Sequence, residues 1–182
     1  MTLDELTGFL FPAAPRFTVD GHGVFQGRAA LKNSTAVQVA GIANGVPISL
    51  EVAITLAGHV LDHVATKSGA TGGKTPLVLL IDTASQNMTR RDELLGLNEY
   101  LAHLSKSLML AAEEGVRVVG VLYGPAAAGA FIATGLSAQT LVTVPGAEPS
   151  VMDLPSGCPG HQASFGPSGG DVDAHADLRP RC

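Results

Sequence analysis

The chain has 182 residues, 46% hydrophobic and 15% charged, enough to bury the core of one α/β domain, and its length suggests no second one. Its 11 Lys and Arg against 16 Asp and Glu give a formal charge of −5, with no basic cluster beyond Arg90–Arg91. Together with 4% aromatics and no Trp, that balance excludes the electrostatic footprint and stacking platforms of a nucleic-acid binder.

The acidic start MTLDELTG lacks the positive segment of a signal peptide, and no apolar run is long enough to span a bilayer, so a cytoplasmic protein without a membrane partner is expected. After a stretch rich in Phe and Pro, Val24 to Gly45 reads as strand-forming sequence with turns at Gly27, Asn33 and Asn44–Gly45. From Ile48 the period changes: Leu50, Ala53, Ile54, Ala57, Leu61 and Val64 follow helical spacing up to a capping Gly69, and SGATGGKT is then a surface loop. That loop lacks the spacing of a phosphate cradle and follows a helix instead of a strand. The apolar run Leu77 to Ile81 predicts a strand buried on both faces and ended by Asp82. Leu94, Leu97, Leu101, Leu104, Leu108 and Ala111 predict one helix from Thr89 to Glu114, with Thr89 and Asp92 as a variant capping box and Gly115 after its end.

Val116, Val118, Val119 and Val121 then suit a buried strand, the Gly124–Pro125 pair a turn, and Ala126 to Ala133 a helix of small residues. Amides at a helix start have no intrahelical partner, and Gly129 offers no side chain to keep a carbonyl away. Such a turn can form an oxyanion hole for thioester chemistry, the alternative being a helix packed tightly on a sheet through small residues. QTLVTV, Gln139 to Val144, supplies a further strand before the Pro145–Gly146 turn. The alternation of strands and helices predicts an α/β fold with a parallel or mixed sheet.

Three separated segments carry a resemblance: GIANGVPISLEVA from Gly41, PLVLLIDTASQNMTRRDELLG from Pro76, and RVVGVLYGPAAAGAFIATGLSAQTLVTVPGAEPSVMDLPS from Arg117. Their order and spacing resemble the carboxyl-terminal half of the acyl-CoA carboxyltransferase module of the crotonase-like (ClpP/crotonase) superfamily. SQNMTRRDELLGLNEYLAHL and PGAEPSVMDLPS are most similar to the gamma subunits of biotin-independent malonate decarboxylases. The resemblance spans roughly Phe17 to Ser156 and implies repeated strand-strand-helix units. It further implies decarboxylation of a malonyl thioester to an acetyl thioester and CO2, beside a homologous beta subunit. By the same resemblance Gly129 and Ala130 are the catalytic donors to the enolate oxygen, and Gly124, Pro125 and Ala128 line the substrate. The resemblance also implies that no cofactor is bound directly and that the substrate rides on the phosphopantetheine-type prosthetic group of an acyl-carrier protein, served by an acyl-carrier transferase subunit. Biotin is not implied, since Asp82 to Asn87 and Tyr123–Gly124–Pro125 replace the turns of the biotin-dependent relatives. Ala128 stands where Clp-type peptidases need Ser, which removes peptidase chemistry. A scaffold role for a catalytic beta subunit, or an enoyl-thioester hydratase or isomerase, are the other readings.

His59 and His63 lie four apart but lack the Glu of H-E-x-x-H, and read as a polar stripe without metal. Arg90, Arg91, Asp92 and Glu93 read as a solvated helix start, with contact to a partner as the sharper alternative. His22, Asp82 and Glu148 receive no chemical role. Residues 1–156 form the expected domain, while 157–182, rich in Gly, Pro and Ser and holding both Cys158 and Cys182, form an aberrant, disordered tail without a disulfide framework. Permitted codons for Gly157 to Ala163, read one base later, spell the Ala-Arg-Val-Thr-Lys that continues the family pattern, so a frameshift is inferred there; sequencing the coding DNA tests it.

Overall fold

The structure, a computed structural model, describes residues 1–66 and 74–151. The expected tail, its frameshift, the Gly69 cap and most of the SGATGGKT loop lie outside the described residues. The amino-terminal stretch opens with helix α1 (Leu3–Leu10), started by a capping box: Glu5 N–H donates to Thr2 Oγ1 at 3.2 Å and Thr2 N–H to Glu5 Oε2 at 2.8 Å. Strands β1 (Val24–Ala30) and β2 (Ala36–Gly45) form an antiparallel hairpin whose connection is turned by Asn33, Oδ1 accepting from Thr35 N–H at 3.1 Å. Gly27 is not a turn. It lies inside β1, where a Cβ would come within 2.6 Å of the Phe17 ring, so its missing side chain serves a close aromatic approach.

Helix α2 (Leu50–Ala65) is capped by Ser49, whose Oγ accepts from Val52 N–H at 3.3 Å. Of the expected stripe, Leu50, Ala53 and Ala57 are buried, but Ile54 faces solvent. Strand β3 (Leu77–Thr83) pairs parallel with β2 and is buried from Leu77 to Ile81, as its unbroken apolar run requires; it extends through Asp82 to Thr83.

The single helix expected from Thr89 to Glu114 is two. Helix α3 (Arg90–Leu94) stops at Leu95, Gly96 takes a left-handed φ of 81°, and α4 (Leu97–Glu113) restarts in a new direction. Leu94 and Leu95 are therefore exposed, whereas Leu97, Leu104, Leu108 and Ala111 reach the core. Only half of the capping box forms: Thr89 Oγ1 accepts from Asp92 N–H at 3.2 Å, and the Asp92 carboxylate points elsewhere.

Strand β4 (Val118–Leu122) is followed by β5 (Pro125–Ala127), helix α5 (Ala128–Ala133), β6 (Thr140–Thr143) and β7 (Glu148–Ser150). The expected helix from Ala126 thus begins at Ala128, because Pro125 to Ala127 instead pair with β7 in a second, two-stranded parallel sheet. The main sheet has the order β1-β2-β3-β4-β6, antiparallel only at β1–β2. Its two faces follow the period of two along the strands. Leu77, Leu79 and Ile81 pack with α2, α4 and α5, while Val78 and Leu80 pack with Phe25, Val121 and Leu6 of α1. Among the described residues no helix is long and apolar enough to cross a membrane.

Candidate functional site

The site is built where β4 leaves the sheet. Tyr123 ends the strand on the α1 face, its hydroxyl donating to the Ile42 carbonyl at 3.2 Å, and burial pushes its phenol well above the ordinary range, with the nearby Asp82 charge adding to the shift. Gly124 follows, and a Cβ there would collide with the Asp82 carboxylate, so the chain can turn toward β5 only without a side chain at this position. The period of two places Asp82 with Leu80, on the face away from α5. Burial raises its carboxyl above the usual value, opposed by hydrogen bonds from the Gly45 and Asn44 amides.

A group whose folded pKa is raised binds more protons folded than unfolded, so stability falls as pH rises from 3.8 toward the folded value. Asp82→Asn is expected to remove that decline. Chemical denaturation of both proteins across roughly pH 4 to 7 measures it, and a steeper decline in the variant contradicts the assignment.

From β5 the chain enters α5 through a sharp bend. Ala127 is extended, and Ala128 takes a φ of 51°, a left-handed conformation that costs a non-glycine residue roughly 1–2 kcal/mol. The bend brings Gly129 N–H to a carbonyl oxygen: the side-chain amide of Gln86 accepts from it at 2.9 Å. A Cβ on Gly129 would lie 3.2 Å from Leu101 Cδ1 and 3.3 Å from Gln86 Oε1, closer than ordinary van der Waals contact, so these two side chains would have to shift by a few tenths of an ångström to admit it. Ala130 is fully buried, and as the third residue of α5 its amide has no intrahelical acceptor. Gly124 and Pro125 lie on the path into the bend, with Pro125 exposed, while Gly129 and Ala130 form its end.

Gln86 is the site residue that reading the sequence missed. It lies 43 positions from Gly129, in a loop whose main chain is fixed by Ile48: Ile48 N–H donates to Ser85 O and Asn87 N–H to Ile48 O, both at 2.8 Å. No periodicity marks such a contact.

The charged start of α3 is not simply solvated. Asp92 is 1% exposed, accepting from Asn87 Nδ2 at 2.8 Å and from Arg91 Nη1 at 3.2 Å. Arg91 also reaches Glu51 Oε1 at 2.7 Å, which lowers the Glu51 carboxyl to about 2; water screens this exposed pair, so it orients α3 against α2 more than it stabilises it. His63 Nε2 lies 2.7 Å from the Thr75 carbonyl and His59 is half-buried beside Asp62 and Asp20. Among the described residues no group of three His, Cys, Asp or Glu could hold a metal ion. Two surface clefts of about 300 and 290 Å³ lie elsewhere, one around Phe9 and Leu31, the other around Arg28 and His63.

A sheet with one antiparallel edge, α2, α4 and α5 on one face and α1 on the other, and a small second sheet feeding a tight bend define a crotonase-like carboxyltransferase fold. Solved structures bear this out: a chain of transcarboxylase 12S, whose structure holds methylmalonyl-coenzyme A, superposes with a TM-score of 0.65 at 17% identity, covering 83% of this chain and 29% of that one. A profile of the malonate decarboxylase gamma subunit matches residues 43–160, and the chain belongs to that family. It is also similar to a chain of the Pseudomonas malonate decarboxylase MdcD–MdcE hetero-dimer, with a TM-score of 0.66 and 26% identity over 76% of this chain and 58% of that one. A Pseudomonas malonate decarboxylase hetero-tetramer in complex with coenzyme A gives a TM-score of 0.70 at 24% identity, covering 84% and 62%. The chain thus spans about three fifths of the length of these decarboxylase chains. Comparison with curated proteins yields no match.

Proposed function

We propose that this chain acts as the gamma subunit of a biotin-independent decarboxylase that converts a malonyl thioester, carried by an acyl-carrier protein, to an acetyl thioester and CO2. The observation that supports it best is the left-handed bend at Ala128, which sets the Gly129 and Ala130 amides at the start of α5 within a chain of this family, although Gly129 N–H is held by a hydrogen bond to Gln86 Oε1 at 2.9 Å. When the carbon–carboxylate bond breaks, its electron pair moves toward the thioester carbonyl and CO2 leaves. The carbonyl oxygen then carries enolate charge, and a proton added at carbon completes the acetyl group. Two fixed N–H donors, on Gly129 and Ala130, favour that charge without reorganising, and each such donor contributes about 3 kcal/mol in comparable sites. Gly124, Pro125 and Ala128 shape the approach, and a homologous beta subunit closes the site over the bend. An acyl-carrier protein and its transferase supply the substrate; no cofactor is held by this chain, and the work is cytoplasmic.

A second reading, in which the chain only scaffolds a catalytic beta subunit, draws support from the same bond, since Gly129 N–H already has an acceptor. A hydratase or isomerase would need a carboxylate beside the hole, and the neutral amide of Gln86 stands there, with Asp82 on the other face. Reconstituting the chain with its beta subunit and measuring CO2 release from malonyl carrier protein tests the proposal. Turnover should require both subunits; full turnover by the beta subunit alone would overturn it.

A further inference from the structure

We propose that Gln86 is a displaceable stopper of the acyl-oxygen seat, holding Gly129 N–H until a thioester carbonyl takes its place and thereby setting the affinity for acyl substrate. This rests on the reading of Gly129 as a donor to the enolate oxygen.

Three observations carry it. The atom that meets Gly129 N–H is a side-chain carbonyl oxygen, equal in kind to the group a thioester brings, at 2.9 Å. The Gln86 backbone is anchored, through the Ser85 and Asn87 hydrogen bonds to Ile48, so only side-chain rotation is needed to vacate the seat. The other end of the amide is weakly held: Nε2 reaches Met88 Sδ at 3.4 Å, a poor acceptor on an exposed residue. A brace would be expected to tie down both ends of the amide. Here one strong bond is exchanged for another when substrate arrives, and the released amide turns to water, so displacement leaves no group unpaired. In the unliganded protein the same side chain keeps a strained bend's donor satisfied, with Leu101 closing the other side.

Kinetics of the reconstituted complex with malonyl-pantetheine or malonyl carrier protein, on Gln86→Ala and Gln86→Glu, test the proposal. Removing the competing oxygen should lower KM about five-fold with little change in kcat, the size expected for one net hydrogen bond. Gln86→Glu should raise KM, because a carboxylate holds the donor more strongly and repels the anionic substrate. A structural brace predicts the opposite ordering, with Glu close to wild type and Ala impaired; that result, or no change in either variant, overturns the proposal. Gln86→Asn, which withdraws the carbonyl by one methylene, replaces Ala if that variant fails to assemble, with KM again expected to fall. Hydrogen exchange of the Gly129 amide in the unliganded complex should quicken in Gln86→Ala. Failure of the underlying reading shows separately, as unchanged kcat in Gly129→Val measured in the same assay.

Discussion

Gly129→Val is expected to reduce kcat for CO2 release by about 10²–10³-fold, the range seen when one oxyanion donor is lost. The reason is local. A Cβ on Gly129 already sits 3.2 Å from Leu101 Cδ1 and 3.3 Å from Gln86 Oε1, so two further methyls must enter the volume that the acyl oxygen needs. No φ in the left-handed range demands glycine at this position, so the backbone accepts Val and the loss is one of access to the amide. The effect should appear in kcat and also as a raised KM, because the amide receives the neutral carbonyl in the ground state and holds the charged oxygen more strongly in the transition state. Steady-state assays on the reconstituted complex, with circular dichroism to confirm an unchanged fold, measure it. Undiminished turnover would favour the scaffold reading.

Gly124→Ala is expected to destabilise the protein by about 2–3 kcal/mol, the upper part of the range for forcing atoms into a packed site. The added Cβ would overlap the Asp82 carboxylate, and rotating that carboxylate does not clear the clash because Asp82 Cβ, fixed to the main chain, would itself lie 3.0 Å away. The strain is then relieved by moving β5, which carries the chain into the Ala128–Gly129 bend, so activity should fall together with melting temperature. Asp82→Gly in the same molecule removes the obstacle and should restore most of the stability lost to Gly124→Ala. A thermal-denaturation double-mutant cycle should therefore give a coupling within the roughly 0.5–3 kcal/mol typical of contacting residues. Additive single effects would show that Gly124 is constrained by something other than Asp82.

What could be read from the sequence follows from where the physics is local. The run Leu77 to Ile81 betrays a strand covered on both faces because every one of its side chains must leave water. Leu97, Leu104, Leu108 and Ala111 betray α4 because one face of it meets the sheet. The same apolar spacing hid the break at Gly96: Leu94 continues the stripe in sequence, yet the left-handed glycine turns it out to solvent. β5 and β7 escaped notice because three-residue strands carry no period, and Pro125 to Ala127 have the composition of a helix start. Asp92 looked like surface charge because burial of a carboxylate depends on partners, and Asn87 and Arg91 are supplied by the fold of the turn.

The bend itself was legible as small residues after Gly124–Pro125, and the family as three motifs in fixed order. What the residues could not announce is the contact between Gln86 and Gly129, since it depends on β2, β3 and α2 meeting around Ile48. That contact changes the picture of the bend from an open pair of amides to one in which the Gly129 amide is held by Gln86.

The most direct measurement is the structure of the reconstituted complex with a non-hydrolysable malonyl-thioester analogue that cannot lose CO2. The acyl oxygen should lie about 3 Å from the Gly129 and Ala130 nitrogens, with the Gln86 amide rotated away. An acyl group bound elsewhere, with the 2.9 Å bond between Gln86 and Gly129 intact, would contradict the account.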